Sequence, residues 1–360
     1  MKHTAAYRIA GWDVGGAHLK LALLNAAGDI VSVGQAACPL WKGIDYLHRA
    51  IAELTANLDL SACRHALTMT GELVDCFTSR EQGVAAIIDA MCRHYGADRI
   101  DVFAGLRGFL AAGRVAAADC MDIASANWLA SVMLAAQHIP DALFVDIGST
   151  TTDLLLIEQS QPRVAGYTDY QRLVSGELVY TGVVRTPVMA IAQQAEFNGR
   201  NMGLMAELFA TTADVYRLTG DLNDAHDQAD TADGAEKTAL ASARRLSRLT
   251  GYEFDAADWP LWLAFAAHLK QCQQQQLVEA CRRRLQAAAR PQCCIMLGAG
   301  VGRFLVKQIA AELGLIYRDF ADLLPTAGGG GQIDAGDCAP AAAVAYLPAG
   351  LVKAGGWYKI

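Results

Sequence analysis

Apolar residues fall into short, regularly spaced blocks at the beginning of the chain. Tyr7–Val14, Leu19–Asn25 and Ile30–Ala36 each predict a strand, and a tight turn at Gly15–His18 joins the first two. Apolar side chains then recur every three or four residues over Ile44–Leu58, which predicts a helix. The chain is therefore expected to open with a strand hairpin, a third strand and a helix.

The alternation of strands and helices continues up to residue 140. The pattern predicts a strand at His65–Thr70, a helix over Arg80–Tyr95, a strand at Ile100–Ala104 and one long helix over Asp119–His138. Polar residues interrupt the apolar ones within the last helix, which is typical of a buried helix in a globular protein and not of a membrane span.

A second strand hairpin is predicted from residue 142. The segment 142–147 reads as a strand, 148–152 as a turn and 153–159 as a returning strand. Strand patterns are missing between about residues 190 and 290, where helices are predicted over 202–218, 239–249 and 259–277.

The alternating pattern resumes in the last part of the chain. It predicts a strand at Cys293–Leu297, a helix at Arg303–Leu313, a strand at Leu315–Arg318, a glycine run at 328–331 and an alanine-rich helix at Ala339–Leu347. Strands that alternate with helices at both ends of a chain predict the α/β class.

Length and the repeated hairpin together predict two domains. A chain of 360 residues is long enough for two hydrophobic cores. Asp13 and Asp146 hold the same place in the two hairpins, about one domain length apart. We therefore predict a first domain over 1–140 and a second over 141–360, with a helical insertion at about 190–290.

Charge and cysteine content exclude several classes of protein. The net charge of −7 argues against nucleic acid or an anionic membrane as a partner, because both require a basic face. The ten cysteines form no CxxC pair, so neither a zinc site nor a disulfide framework is expected. Such cysteines suit a reducing compartment, and no signal-peptide pattern is visible, so we expect a cytoplasmic protein.

The first hairpin turn, "DVGGAH", has features of an anion-binding loop. Gly15 and Gly16 allow backbone amides to approach an anion closely, and Asp13 and Lys20 lie beside them on the two strands. An ordinary turn with glycines of purely structural use is the alternative. The turn joins a strand to a strand, so it matches neither the Walker loop nor the dinucleotide fingerprint.

The second hairpin turn, "DIGSTTTD", carries more donors than a structural turn needs. The backbone of Gly148 and the hydroxyl groups of Ser149, Thr150, Thr151 and Thr152 suit phosphate oxygens. The acids that flank the turn, Asp146 and Asp153, suit a hydrated Mg²⁺ or a catalytic water.

A third glycine-rich turn follows the predicted strand at 293–297. Gly298, Gly300 and Gly302 would let a nucleotide base or a phosphate approach the start of the following helix. Glycine spacing of this kind is weak evidence for a nucleotide site when taken alone. Its position after two phosphate-type hairpins strengthens that interpretation.

These three motifs, in this order, resemble the actin, hexokinase and acetate kinase superfamily. The segment "VDIGSTTTD" is most similar to the hydantoinase/oxoprolinase branch. The segments "TMTGELVDCFTSREQGV", "SGELVYTGVVRTPV", "FATTADVYRLTGDL" and "DCAPAAAVA" are similar to a family of the tetrahydromethanopterin-linked one-carbon pathway. The resemblance implies two ribonuclease H-like domains that close over a phosphorylated ligand.

For that family the implied activity belongs to methanofuran biosynthesis. An aminomethylfuran-methyl diphosphate would be joined to the phenol of γ-glutamyltyramine, which gives an aryl ether and pyrophosphate. The resemblance implies Mg²⁺ near Asp13 and Asp146, directly or through water, with Asp13, Asp146 and Asp153 as candidate catalytic acids. In "SGELVYTGVVRTPV", Glu177, Tyr180 and Arg185 are candidates for binding substrate or nucleotide.

Two other functions stay open at this point. One is an ATP-dependent hydrolase of the hydantoinase/oxoprolinase kind or a small-molecule kinase, and the other is a nucleotide-binding protein without turnover. Ala17 stands where kinases of the superfamily carry Thr or Ser, which argues against ordinary phosphoryl transfer from ATP. The sequence leaves open whether ATP binds. It also leaves open the oligomeric state, for which a homodimer is one option.

Overall fold

A computed structural model describes residues 7–288, 294–327 and 331–354. The chain divides into two compact units. The first takes in the described residues of 1–140, 157–169 and 319–360, and the second takes in those of 141–156 and 170–318. Three glycines of the 328–331 run, Gly328 to Gly330, and Cys293 of a predicted strand lie outside the described residues.

The helices and strands up to residue 163 are, in chain order, β1 (Tyr7–Val14), β2 (His18–Asn25), β3 (Ile30–Ala37), α1 (Asp45–Thr55), β4 (Arg64–Met69), α2 (Arg80–Tyr95), β5 (Ile100–Phe103), β6 (Phe109–Ala111), α3 (Cys120–Ile123), α4 (Asn127–His138), β7 (Ala142–Ile147), β8 (Thr152–Glu158) and β9 (Gln161–Arg163).

The remaining elements are α5 (Asp169–Ser175), β10 (Leu178–Val179), α6 (Val188–Ile191), β11 (Gln194–Phe197), β12 (Arg200–Gly203), α7 (Thr212–Thr219), α8 (Ala239–Thr250), α9 (Trp259–Gln286), β13 (Ile295–Ala299), α10 (Arg303–Glu312), β14 (Ile316–Asp319) and α11 (Ala339–Ala354). Helices and strands alternate through most of the chain, which confirms the α/β class.

The first unit contains a six-stranded sheet in the order β3-β2-β1-β4-β5-β6. Strand β1 is antiparallel to β2 and parallel to β4. Trp12 and Val14 of β1 join Leu47 and Ile51 of α1 and Ile87 of α2 in one buried apolar cluster. Successive side chains of a strand point to opposite faces, so Gly11 and Asp13 lie on the other face of the sheet.

Helix α11 covers that other face of the first sheet. A Cβ at Gly11 would lie within 3.0 Å of the carbonyl oxygen of Ala341 and of the Cβ and amide nitrogen of Ala345. The helix therefore packs directly on the backbone of β1. The predicted division had placed residues 319–360 in the second domain. The structure instead places the described residues of 157–169 and of 319–354 in the first unit, where the small side chains of α11 pack against Gly11.

The long helix predicted over Asp119–His138 is broken. Helix α3 ends at Ile123, α4 begins at Asn127, and Ser125 between them has a positive φ of 52°. The apolar spacing on the two sides of the break is compatible with one continuous helix, so periodicity could not reveal it. The positive φ of Ser125 interrupts the helix, and the Ser125 hydroxyl donates a hydrogen bond to Glu72, a residue 53 positions away in the chain.

The second unit contains a sheet in the order β10-β8-β7-β13-β14, in which β13 is parallel to β7. The segment predicted as a helical insertion contains α7, α8 and α9, and also a two-stranded hairpin of β11 and β12. The helix predicted over 202–218 was wrong in its first half. Residues 200–203 pair as a strand, and the helix begins at Thr212, where Thr211 and Asp214 form a capping box.

Among the helices of the described residues, none combines the length and the apolar character that crossing a membrane requires.

The contact between β1 and α11 gives a prediction about stability. Replacing Gly11 by Ala introduces a Cβ that overlaps the α11 backbone, and we expect the free energy of unfolding to fall by about 1–3 kcal/mol. Urea titration followed by circular dichroism measures this loss. Gly113→Ala is the matched control, because a Cβ there meets no atom within 4 Å and should change stability by less than about 0.5 kcal/mol.

Candidate functional site

The loop between β7 and β8, residues 148–151, is hydrogen-bonded to the segment that follows β10. The amide of Gly148 donates to the carbonyl of Thr151 at 2.8 Å. The amides of Val183 and Arg185 donate to the carbonyls of Gly148 and Ser149 at 3.1 and 2.9 Å. The carbonyl groups of Gly148, Ser149 and Thr151 thus accept backbone hydrogen bonds, which restrain the loop.

The donors of this loop are less occupied than its acceptors. The Ser149 hydroxyl is buried and has no hydrogen-bond partner among the described residues. The guanidinium group of Arg185 donates to the Thr150 hydroxyl at 3.5 Å, so a cation lies beside the loop. A buried hydroxyl without a partner is costly unless a ligand completes it, and a phosphate oxygen is a suitable acceptor.

Gly182 supports the loop in a way that sequence reasoning missed. A Cβ at Gly182 would lie within 3.0 Å of the backbone of Gly148, Ser149 and Thr150. Only glycine permits this close approach of two backbone segments. The signal was present in the sequence as a glycine two residues after Tyr180, although the motif was interpreted for its side chains alone.

Asp146 is the last residue but one of β7 and is 8% exposed. The turn after β13 packs against this strand end: the amide of Gly302 donates to the carbonyl of Ile147 at 2.8 Å. A Cβ at Gly300, which has a φ of 79°, would lie within 3.0 Å of the Asp146 carboxylate and of the Ile147 carbonyl.

The glycines of the third motif therefore make room for the chain itself. Gly300 and Gly302 lie against β7, and a Cβ at Gly298 would meet the ring of Tyr317. These close contacts within the chain are enough to explain why glycine stands at the three positions of "GAGVG", and no ligand is needed for that explanation. Binding of a nucleotide by these three glycines stays a prediction.

Several predicted site residues have their polar atoms engaged in internal contacts of the second unit. Thr152 is fully buried and its hydroxyl donates to the Thr181 carbonyl at 2.7 Å. Asp153 forms an ion pair of 2.6 Å with the buried Arg172. Glu177 is fully buried and pairs with Arg284 at 3.2 Å. These contacts give the three residues a structural role.

The structure thus sorts the predicted residues of the second unit into two groups. Asp146 and the residues of the 148–151 loop lie together with Arg185 at the ends of β7 and β8. Thr152, Asp153 and Glu177 belong to the internal contacts described above, and Tyr180 is 68% exposed.

In the first unit, the loop between β1 and β2 is closed by a hydrogen bond from the Gly15 amide to the His18 carbonyl of 2.9 Å. Asp13 is buried, and its carboxylate accepts a hydrogen bond from the Asn127 side chain at 3.3 Å. Lys20 lies opposite Asp13 in the strand register and donates to the Asp337 carbonyl at 3.2 Å. Gly16 packs against the Val74 side chain, where a Cβ would be 3.0 Å away.

Asn127 and Asp337 were not among the predicted residues. Asp337 is 3% exposed and stands just before α11, inside the segment "DCAPAAAVA". That segment was noticed only as a family resemblance, because a single Asp before an alanine-rich helix is also a common way to begin a helix.

Glu72 and Ser125 form a second unpredicted contact in the first unit. Glu72 is fully buried, and the Ser125 hydroxyl donates to its Oε1 at 2.8 Å. Burial is the main cause that raises the pKa of the Glu72 carboxyl, against the opposing effects of the Ser125 hydrogen bond and of Arg80. The preceding residue, Gly71, packs on the backbone of Val14 and Gly15, so Glu72 lies next to the first loop.

Mg²⁺ was predicted near Asp13 and Asp146. Among the described residues, no three His, Cys, Asp or Glu side chains converge to hold a metal. Mg²⁺ commonly binds through one or two carboxylates while phosphates and water complete its shell. A single carboxylate beside phosphate-type donors, as at Asp146, fits that kind of binding and not an all-protein cage.

A model of the hydantoinase/oxoprolinase family matches residues 64–322. The chain is also similar to a Methanocaldococcus jannaschii protein named (4-{4-[2-(gamma-L-glutamylamino)ethyl]phenoxymethyl}furan-2-yl)methanamine synthase. The two are 34% identical over 242 residues, which cover 67% of this chain and 71% of the relative. A protein of the same name from Methanococcus vannielii is 30% identical over 109 residues, covering 30% of this chain and 49% of the relative.

Among solved structures, an acetone carboxylase in its nucleotide-free form is similar in fold. It is 12% identical, with a TM-score of 0.56, and the similarity covers 86% of this chain and 67% of that one. At this identity the likeness concerns the fold alone.

Ser149 and Thr152 make a matched pair for testing the second-unit loop. Ser149→Ala removes a hydroxyl that has no partner in residues 7–288, 294–327 and 331–354, so stability should be unchanged or higher. Affinity for pyrophosphate should fall at least about tenfold, since a hydrogen bond to a charged acceptor contributes about 1.5–3 kcal/mol. Calorimetric titration with pyrophosphate measures the affinity.

Thr152→Val should behave in the opposite way. It removes the buried hydrogen bond to Thr181 and lowers the free energy of unfolding by about 1 kcal/mol, while pyrophosphate affinity stays the same. Equal losses of affinity in both variants would contradict the assignment of Ser149 to the anion site.

Proposed function

This chain belongs to the hydantoinase/oxoprolinase family, and from that premise we propose that it is a transferase of methanofuran-type cofactor biosynthesis. The proposed reaction joins an aminomethylfuran-methyl diphosphate to the phenol of γ-glutamyltyramine. It forms an aryl ether and releases pyrophosphate. The observation that carries the proposal is the identity of 34% over 242 residues to a relative whose name describes a phenoxymethylfuran amine.

We propose further that each unit is a ribonuclease H-like domain. The order β3-β2-β1-β4-β5 in the first sheet, with two antiparallel pairings followed by parallel ones, supports this assignment. In the second unit, β7 and β8 correspond to the opening hairpin. Helices α7 to α9 fall between this hairpin and β13 in sequence, and we take residues of about 190–290 as an insertion.

The bonds of the proposed reaction balance without a redox partner. The bond between the furan methylene and the diphosphate oxygen breaks, and the phenol oxygen forms a new bond to the same carbon. The phenol loses its proton, and pyrophosphate leaves with the bonding electron pair. The furan ring delocalises positive charge on its methylene, so the protein's main task is to stabilise the negative charge that grows on the leaving group.

The loop of residues 148–151 is suited to that task. The amides of Val183, Val184 and Arg185 donate to the carbonyls of Gly148 and Ser149, so the loop is preorganised and need not rearrange as charge develops. The Ser149 hydroxyl and the Arg185 guanidinium would bind leaving-group oxygens. Mg²⁺ held beside Asp146 would add charge neutralisation at the same oxygens.

The glycines of the first loop keep a proposed role as phosphate contacts. Gly15 and Gly16 can approach an anion closely, and Lys20 contributes a positive charge beside Asp13. The absence of a hydroxyl at Ala17 favours diphosphate displacement over transfer of a phosphoryl group from ATP.

The first test of this function is a two-substrate assay. Pyrophosphate release should require both the furan diphosphate and γ-glutamyltyramine, together with Mg²⁺, and the aryl ether should appear in equal amount by mass spectrometry. Steady ADP formation from ATP would instead support the ATP-dependent hydrolase or kinase. Nucleotide binding without any turnover would support a non-catalytic protein.

Two carboxylates of the same hairpin should respond differently in this assay. Asp146→Asn should lower pyrophosphate release at least about a hundredfold, because the neutral amide no longer holds a cation beside the leaving group. Asp153→Asn should lower thermal stability, since Arg172 loses its buried partner, with turnover per folded molecule retained. Full activity of Asp146→Asn would contradict the proposed role of the second loop.

A further inference from the structure

Glu72 is a buried acid that the proposed mechanism has not yet used. It is fully buried, the Ser125 hydroxyl donates a hydrogen bond to its Oε1, and Oε2 has no hydrogen-bond partner in the described part of the chain. Burying a carboxylate with one unsatisfied oxygen destabilises a protein. A group kept in such surroundings is a candidate for a functional role.

Ser125, the partner of Glu72, is held in a strained conformation. Four non-glycine residues have a positive φ in the described chain: Ser125, Gln159, Ser160 and Asn198. The last three are exposed, whereas Ser125 is buried at the break between α3 and α4. The left-handed conformation costs a non-glycine residue about 1–2 kcal/mol. The break therefore places one hydroxyl at the Glu72 carboxylate at the expense of stability.

This pair lies next to the first loop. Gly71 packs on the carbonyl groups of Val14 and Gly15, where a Cβ would be 3.1 and 3.0 Å away. Two residues after Ser125, the Asn127 side chain donates to Asp13. The segments that carry Glu72 and Ser125 are thus the same ones that surround Asp13 at the end of β1.

We propose that Glu72 accepts the phenol proton through Ser125. The phenol O–H donates to Ser125 Oγ, Ser125 passes its own proton to the Glu72 carboxylate, and the phenol oxygen bonds to the furan methylene as pyrophosphate leaves. Glu72 ends the step as a neutral carboxylic acid and later returns the proton to solvent. This inference rests on the proposed function.

Base strength favours Glu72 over the other acids of the sequence. The desolvation that raises the Glu72 pKa makes its carboxylate a stronger base and brings it closer to the pKa of a phenol. Asp153 is occupied by Arg172, and Asp13 accepts a hydrogen bond from Asn127.

The charged groups that face Glu72 are Arg80 of α2 and Asp169. They lie 3.4 Å apart as an ion pair, and their opposite effects on the Glu72 pKa are smaller than that of burial. Gly83 of α2 packs against the Glu72 backbone, where any Cβ would overlap it, so the helix keeps this acid enclosed.

The test combines activity, pH dependence and stability. Glu72→Gln keeps the size of the side chain and removes the proton acceptor, so kcat should fall at least about a hundredfold with little change in KM. In the wild-type protein, activity requires the ionised carboxylate and should fall as the pH drops through the raised pKa of Glu72. That acidic limb should be absent from the residual activity of Glu72→Gln.

Stability separates this role from a structural one. A carboxyl whose pKa is raised by folding stabilises the protein below its unfolded pKa, and this stabilisation is lost as pH rises through the folded pKa. At neutral pH the Glu72→Gln variant should therefore unfold at an equal or higher temperature than wild type. A structural Glu72 would give the reverse, lower stability together with lower activity.

Serine variants isolate the hydroxyl group. Ser125→Gly removes the hydroxyl and tolerates the positive φ, so kcat should fall while the protein stays folded. Ser131→Ala is the control, because Ser131 is a buried serine of α4 whose hydroxyl, unlike that of Ser125, has no partner among the described residues, and kcat should not change in this variant.

A phenolic substrate with a lower pKa tests the proton transfer most directly. A ring-fluorinated γ-glutamyltyramine loses its proton more easily, so Glu72→Gln and Ser125→Gly should lose less activity with it than with the natural phenol. Equal losses with both acceptors, or a wild-type pH profile in Glu72→Gln, would overturn the proton-acceptor role alone. No pyrophosphate release by the wild-type protein from the two substrates would overturn the proposed function and this inference with it.

Discussion

The second-unit loop depends on backbone packing that side chains would prevent. Gly300 and Gly302 bring the turn after β13 onto the end of β7, and Gly182 brings the following segment onto the loop itself. With a Cβ at any of these positions, Asp146 and the 148–151 loop would have to move. Glycine thus fixes where a carboxylate, a buried hydroxyl and a guanidinium meet.

Buried charges of the second unit are compensated in pairs, which frees the loop donors for a ligand. Arg172 pairs with Asp153, Arg284 with Glu177, and Arg245 with Asp214. A buried pair adds little net stability compared with apolar residues, but the loss of one partner is costly. Such pairs therefore fix the position of β8 and of the helices around it.

Local sequence predicted the two hairpins well because each one pairs strands that are neighbours in the chain. Both hairpins and α2 were predicted within a residue or two of their bounds. The break at Ser125 and the packing of α11 on Gly11 were missed, because each is imposed by a residue far away in the chain. For the same reason the composition of "GSTTT" could not tell Ser149 from Thr152: within the part of the chain that the structure describes, the Ser149 hydroxyl has no partner and the Thr152 hydroxyl has one.

The proposed chemistry explains why the two units handle acidic groups so differently. A leaving diphosphate needs hydrogen-bond donors and cations, and a carboxylate without a counter-ion at the same oxygens would repel it. A proton acceptor needs the opposite surroundings, a desolvated carboxylate whose charge is costly to keep. The second unit supplies Ser149 and Arg185 for the first need, whereas the first unit encloses Glu72 and strains Ser125 for the second. In the first unit stability is lost where proton transfer requires it, and in the second unit the buried Arg172 and Glu177 are compensated by ion pairs.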